Sequence, residues 1–341
     1  MKLNIILLSA VFFLLILSSC DNGAEKYNSD TFFAMDTFIT LSAKDASGEL
    51  LKSAENKTKA YEKIFSRKDE SSELYKINAS LSEEASDELV FMIKNAFDVS
   101  EKTHNAFNPC LGAISDLWDF TNKKNIPSDS EISEILPCCS PGKVKIDGNT
   151  VSKEDLNTVI DLGACAKGYS AQKIIEYLKE NGVSDAYVNF GGNVSVCGSS
   201  ESGTAWKIGI KNPFMTDDII GYIVCTDKTV SVSGDYERFF EKDGKIYHHI
   251  IDPDTGYPSD SGVKSVAVIS PDGFISDALS TALFVMGVEN SLDFYERKIY
   301  DFEAIFVTND GKVYATSGIK DDFILFGDAY FDGVSYLESA K

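Results

Sequence analysis

The sequence predicts an α+β domain, a mixed and mainly antiparallel sheet with helices packed against it. Helical spacing dominates the first half of the chain, whereas strand patterns dominate from Ala186 onward. Asp243-Gly244 and Asp310-Gly311 separate apolar runs as hairpin turns do. With a hydrophobic content of 43%, residues 31–341 suffice for one large domain or two intimately packed lobes.

The chain starts with Met1-Lys2, an apolar run from Ile5 to Leu17, and Leu17-Ser18-Ser19-Cys20. That run is short for a membrane span, which takes ~20 residues, and small residues precede the cysteine, so it reads as an export signal. The pattern resembles a bacterial lipobox, with Cys20 acylated, palmitate included, as the first mature residue; an ordinary signal peptide or an anchor helix are the other readings. Residues 1–20 are therefore expected to be a lipoprotein signal, 21–30 a flexible tether and 31–341 the folded domain, held on the extracytoplasmic face of the membrane.

Phe38–Ala43 alternates as a strand, and Leu50, Leu51, Ala54, Thr58, Tyr61, Ile64 and Phe65 fall at helical spacing. A second helix is predicted from Asp87 to about Lys102, capped by Ser86 or Asp87. The polar stretch from Thr121 to Gly148, with Pro127, Pro137 and Pro141, reads as a surface excursion. Thr158–Asp161 is expected to enter a glycine turn as a strand, and Ser170–Leu178 to leave it as a helix closed by Gly182. Strands follow at 186–190, 206–211, 219–225, 229–233, 246–251 and 263–269. Helices at 277–286 and 291–297 and a hairpin of 305–308 with 312–316 complete the domain.

Fifty-three acidic against 32 basic residues, a net charge of −21, argue against a nucleic-acid partner. Beyond Cys20 the cysteines are Cys110, Cys138, Cys139, Cys165, Cys197 and Cys225; their spacing fits no zinc pattern. A disulfide from Cys110 to Cys138 or Cys139 is open at this point.

The chain contains no Gly-x-Gly-x-x-Gly after a strand, no Walker loop, no His-Glu-x-x-His and no Gly-x-Ser-x-Gly. Its chemistry lies in Asp161-Leu-Gly-Ala-Cys-Ala-Lys-Gly-Tyr169, a turn that aims backbone N–H groups and a helix N-terminus at an anion while Lys167 adds a positive charge. The same segment would serve equally as a tight strand-to-helix turn. Asp277 and Thr281 stand at i and i+4, so on a helix both reach one cation, and oxygen ligands favour magnesium or calcium. An N-cap aspartate beside an unrelated threonine is the other reading. Of the adjacent His248 and His249, at most one faces a given side of a strand, where it could act as a general base or simply bond a strand-edge carbonyl.

Eight blocks, in order, resemble the ApbE family of FAD:protein FMN transferases. They are Met35-Asp-Thr37, Ser66 through Ser72-Glu-Leu74 to Asn78, Phe107-Asn-Pro-Cys-Leu-Gly112 with Leu117-Trp118, the 161–169 segment, Val188-Asn-Phe-Gly-Gly192, Ser231-Val-Ser-Gly-Asp-Tyr236, His249-Ile-Ile-Asp-Pro-Asp-Thr-Gly256 and Asp277-x-x-x-Thr281. The resemblance implies an ApbE-like, T-fold-related domain that uses FAD and Mg2+ to place FMN on a threonine hydroxyl of a target protein, releasing AMP. Its acceptors would be exported flavoproteins or domains of membrane redox complexes of the Rnf or Nqr type. Carried over by position, Asp277, Thr281 and the Ala164 carbonyl would hold the metal. Met35, Ala106, Phe107, Asn108, Asp161, Lys167 and Ile251 would line the FAD, with His249 as base and Asp277 as the second catalytic residue.

Lys68, in Ser66-Arg-Lys-Asp69, departs from the family, whose members often carry an aromatic residue there to help hold the nucleotide. Some relatives lacking it resemble FAD pyrophosphatases, which release FMN and AMP to water. Lys68 could instead meet a phosphate. Hydrolysis at the same site is thus one alternative, and flavin binding by a lipoprotein without turnover another.

Overall fold

The computed structural model describes residues 26–122, 126–215, 217–326, 331 and 333–337. Among these, nine strands form one sheet whose spatial order follows the chain: β1 (Tyr27–Ala34), β2 (Thr37–Lys44), β3 (Ala186–Phe190), β4 (Asn193–Cys197), β5 (Thr229–Gly234), β6 (Val263–Ser270), β7 (Glu303–Thr308), β8 (Val313–Thr316) and β9 (Val334–Leu337). Only the last pair is parallel. The main helices are α1 (Gly48–Phe65), α2 (Asp87–Lys102), α3 (Ala166–Glu180) and α4 (Gly273–Glu296).

Period-two patterning builds the layers. Val266 and Val268 of β6 join a core with Ile39, Leu41, Val188 and Phe306 of the sheet and Leu51, Ile174, Leu178, Leu279 and Leu283 of the helices. Ala267 and Ile269 face the opposite way. They pack with Val196, Val230 and Ile305 against a small sheet of Trp206–Lys211, Ile219–Cys225 and Phe323–Leu325. Residues 266–269 of β6 form an unbroken apolar run because the strand is covered on both faces there.

Ser47 and Ser86 cap α1 and α2, their side chains accepting from Leu50 N–H and Leu89 N–H. Gly182, at φ +86°, ends α3, where Val183 N–H donates to the Leu178 carbonyl at 3.0 Å.

The 121–148 excursion is more than a surface loop. Asp129–Ile135 is helical, and Ile132 packs with Ile114, Trp118, Phe120, Phe240 and Ile251 in a third apolar cluster. Trp118 Nε1 donates to the Gly256 carbonyl at 2.8 Å and ties this cluster to the 251–257 turn.

Other expectations are corrected. Thr158–Asp161 forms no strand beyond one bridge from Val159 to Leu111. The Asn78 side chain pairs Ile160, accepting from its N–H and donating to its carbonyl, both at 2.8 Å, while Asp161 N–H donates to the Pro109 carbonyl at 2.7 Å. Gly287, at φ +75° and ψ 174°, breaks the run from Gly273 to Glu296, so two helices stand where two were expected. Tyr27–Asp30 already pair with β2, so they belong to the sheet rather than to a tether. The strand predicted at 246–251 spans Lys245–His248. All six described cysteines are buried free thiols, which removes the Cys110 disulfide. Residues 1–20, Cys20 included, lie outside the described residues; within those, no helix is long and apolar enough to cross a membrane.

Candidate functional site

The site is built where two helices meet. α3 and α4 cross at Gly168 and Gly273, where a Cβ on Gly168 would stand 2.2 Å from the Gly273 carbonyl oxygen and 2.6 Å from Asp277 Cβ. Only glycine permits that approach. It brings Gly168 N–H to 2.9 Å from Asp277 Oδ2, while Tyr169 N–H closes the first turn of α3 on the Cys165 carbonyl. The Asp277 carboxylate therefore sits at a helix N-terminus, with Lys167 contributing its charge and N–H and the Asn193 side chain a further bond. Burial outweighs these donors and pushes the Asp277 pKa upward. Thr281, one turn on, lies 3.4 Å from Ser233 Oγ, which also bonds Ser280.

Asp277 is 6% exposed and Asn193 3%, and the Asn193 Oδ1 has no partner. A buried carboxylate lacking full compensation, a threonine hydroxyl and an orphaned amide oxygen form an all-oxygen donor set. Among the described residues no three His, Cys, Asp or Glu side chains cluster as a metal cage. One carboxylate with neutral oxygens is nevertheless what magnesium takes when substrate phosphates and water complete its shell. The residues present fit such an ion.

Around this floor opens a cleft of about 350 Å³. It is lined by Met35, Lys68, Ala106, Phe107, Asn108, Asp161, Ala164, Lys167, His249, Ile251, Asp277 and Thr281, the residues carried over from the family resemblance together with Lys68. Met35 and Asp36, at φ +52° and +59°, form the tight β1–β2 turn, and Met35 N–H donates to Glu62 Oε1 at 2.7 Å. Asn108 is held by the backbone, its amide donating to the Cys139 carbonyl at 2.9 Å and accepting from Cys110 N–H at 2.8 Å.

The two histidines diverge. His248 Nε2 faces the Ser259 carbonyl at 3.1 Å and the ring packs edge-on against Phe284, as a structural histidine does. His249 lines the cleft, its Nδ1 buried without a partner. Burial, then the charges of Arg238 and Lys167, pull its pKa down to about 3. It is a neutral imidazole at physiological pH.

Sequence reasoning missed Arg67, Asn193, Glu237 and Arg238 as lining residues. Arg67 bonds Asp161 through Nε at 2.6 Å and both Asp116 oxygens through Nη1 at 2.8 Å. Asp161 Oδ1 in turn accepts from Gly163 N–H at 2.8 Å, fixing the glycine turn. Arg67 lies inside a quoted block and the other three within two residues of one, so proximity in sequence was the available signal. Lys68 is exposed at the rim.

Comparison with known proteins agrees with this architecture. Residues 35–306 match the model of the ApbE family. The FAD:protein FMN transferase of Treponema pallidum (strain Nichols) is 35% identical over 250 residues, covering 68% of this chain and 69% of that protein. The enzyme of the same name from Klebsiella pneumoniae (strain 342) is 36% identical over 230 residues, covering 66% and 71%. The solved ApbE protein of Thermotoga maritima superposes with a TM-score of 0.80 at 33% identity, over 87% of this chain and 99% of its own. The flavinyl transferase ApbE of Pseudomonas stutzeri, in its apo form, gives 0.79 at 26% identity, over 89% and 99%. With the family's match spanning most of its length and the fold shared throughout, the chain belongs to the ApbE family.

Proposed function

We propose that this chain is an FAD:protein FMN transferase that moves FMN from FAD to a threonine hydroxyl of an acceptor protein with Mg2+ and releases AMP. The observation that carries this reading is the Asp277 carboxylate, buried at the start of α3 beside Lys167 and the orphaned Asn193 oxygen. Such a place would suit a divalent cation that takes oxygen donors.

Asp277, Thr281, Asn193 and the Ala164 carbonyl would hold the magnesium. When bound, it would neutralise charge building on the diphosphate oxygens. The chain's own residues supply the rest. Lys167, which lines the cleft, attracts the phosphates by its charge. Arg67 keeps Asp161 and the Gly163 turn in place. His249, neutral by burial, takes the proton of the incoming hydroxyl. The hydroxyl oxygen bonds the phosphorus of the FMN half, the bond from that phosphorus to the bridging oxygen breaks, and AMP leaves with that oxygen.

Exported redox proteins, including subunits of the Rnf or Nqr type, are the proposed acceptors. Tethering through Cys20 would place the enzyme beside them on the extracytoplasmic face of the membrane. FAD hydrolysis is the second reading, favoured by the exposed Lys68 at the rim. Incubation with FAD, Mg2+ and a threonine-bearing acceptor domain separates the readings. Covalently yellow acceptor supports transfer, free FMN and AMP without acceptor labelling support hydrolysis, and unchanged FAD leaves binding alone.

A further inference from the structure

We infer that the Phe33–Phe38 pair at the end of the β1–β2 hairpin is a docking surface for the acceptor protein, engaging an apolar side chain near the hydroxyl that receives FMN. This inference rests on the transferase reading above.

Phe33 and Phe38 are paired across the hairpin, 58% and 66% exposed, with ring centroids 5.4 Å apart and edge to face. Their strand neighbours Phe32 and Ile39 pack toward the main core, so alternation turns this pair to the opposite face. Two adjoining, outward-facing phenylalanines form an apolar surface of a kind that commonly marks a binding site.

Their position says what covers them. They flank Met35 and Asp36, the turn that lines the cleft. The same edge continues through Thr37 against Gly191, where an added Cβ would lie 2.1 Å from Thr37 Oγ1, and Gly191 lines the cleft as well. A hydroxyl on another protein that enters the cleft beside this turn carries neighbouring residues past the aromatic pair. The hairpin is rigid, with eight paired positions closed by a tight turn, and so presents the rings at fixed distance from the site. The partner is therefore a protein segment with a hydroxyl side chain and an apolar or aromatic residue close to it.

The test is a Phe33→Ser/Phe38→Ser double variant of the full chain, assayed with FAD, Mg2+ and a threonine-bearing acceptor domain. We expect kcat/KM for the acceptor to fall about tenfold or more through KM, with FAD affinity and FAD turnover without acceptor unchanged. Phe33→Tyr/Phe38→Tyr, which keeps the rings, should recover most of the loss. Unchanged acceptor kinetics in the serine double variant, where the wild-type enzyme does label the acceptor, would overturn the docking surface while leaving the transferase reading intact. A wild-type enzyme that binds FAD but labels no acceptor would overturn that reading instead. Loss of FAD affinity in the serine variant, or a wild-type dimer that it dissociates, would assign the pair to folding or self-association.

Discussion

Gly168 and Gly273 meet so closely that a methyl group on either would lie 2.2 or 2.3 Å from the other's carbonyl oxygen. This contact sets the distance between α3 and α4, and with it the bond from Gly168 N–H to Asp277. Gly168→Ala should force the helices apart, destabilise the fold by about 1–3 kcal/mol and reduce turnover more than its stability loss explains. Thermal melts combined with FAD turnover at a temperature where the variant is fully folded will check this.

Asp277 is a liability to the cation-free protein. Its folded pKa is raised above the ordinary 3.8, so its contribution to stability is fully present below that value and lost as pH rises through the folded pKa. Asp277→Asn should therefore melt higher than the parent at pH 7 without divalent cations, with the gap closing as pH falls toward 4. Mg2+ should raise the parent's Tm and leave the variant's unchanged, while turnover is lost. A variant melting below the parent at pH 7 would count against the uncompensated carboxylate.

His249 titrates far below an ordinary imidazole, near pH 3. In kcat/KM for FAD, which reports the free enzyme, it should produce no inflection between pH 5 and 8, and His249→Asn should lower the rate about 100-fold or more. An acid limb near pH 6.5 that vanishes in the variant would show a solvated histidine. For stability, the depressed pKa means a contribution present above 6.5 and lost progressively as pH falls toward 3.

Arg67 joins Asp161 to Asp116, and its side chain is only 12% exposed. Arg67→Ala would leave Asp161 facing the cleft without its cation and loosen the Gly163 turn. We expect FAD binding to weaken about tenfold, with Arg67→Lys recovering little because a point charge cannot hold two carboxylates in one plane. Titration of FAD fluorescence measures it.

Much of the sheet was legible because its strands obey local rules. Trp206–Lys211 and Ile219–Cys225 alternate, and Asp243-Gly244 closes its hairpin with positive φ at both residues. α2 matched its predicted bounds because Ser86 caps a clear apolar stripe. The Thr158–Asp161 segment was misread since its partners are the backbone of Pro109–Gly112 and, at Ile160, the distant Asn78 side chain, which no local pattern reveals. The Asp277–Thr281 spacing was visible on the page. Arg67 and Asn193 were not, because their bearing on the site depends on long-range approach to Asp161 and Asp277.

The most direct test of the account is intact-mass analysis of an acceptor domain incubated with this chain, FAD and Mg2+, with AMP measured in the same reaction. The account predicts an acceptor heavier by one FMN less water, one AMP per label, and no label with Asp277→Ala. Acceptor of unchanged mass while FAD is consumed to FMN and AMP would contradict it.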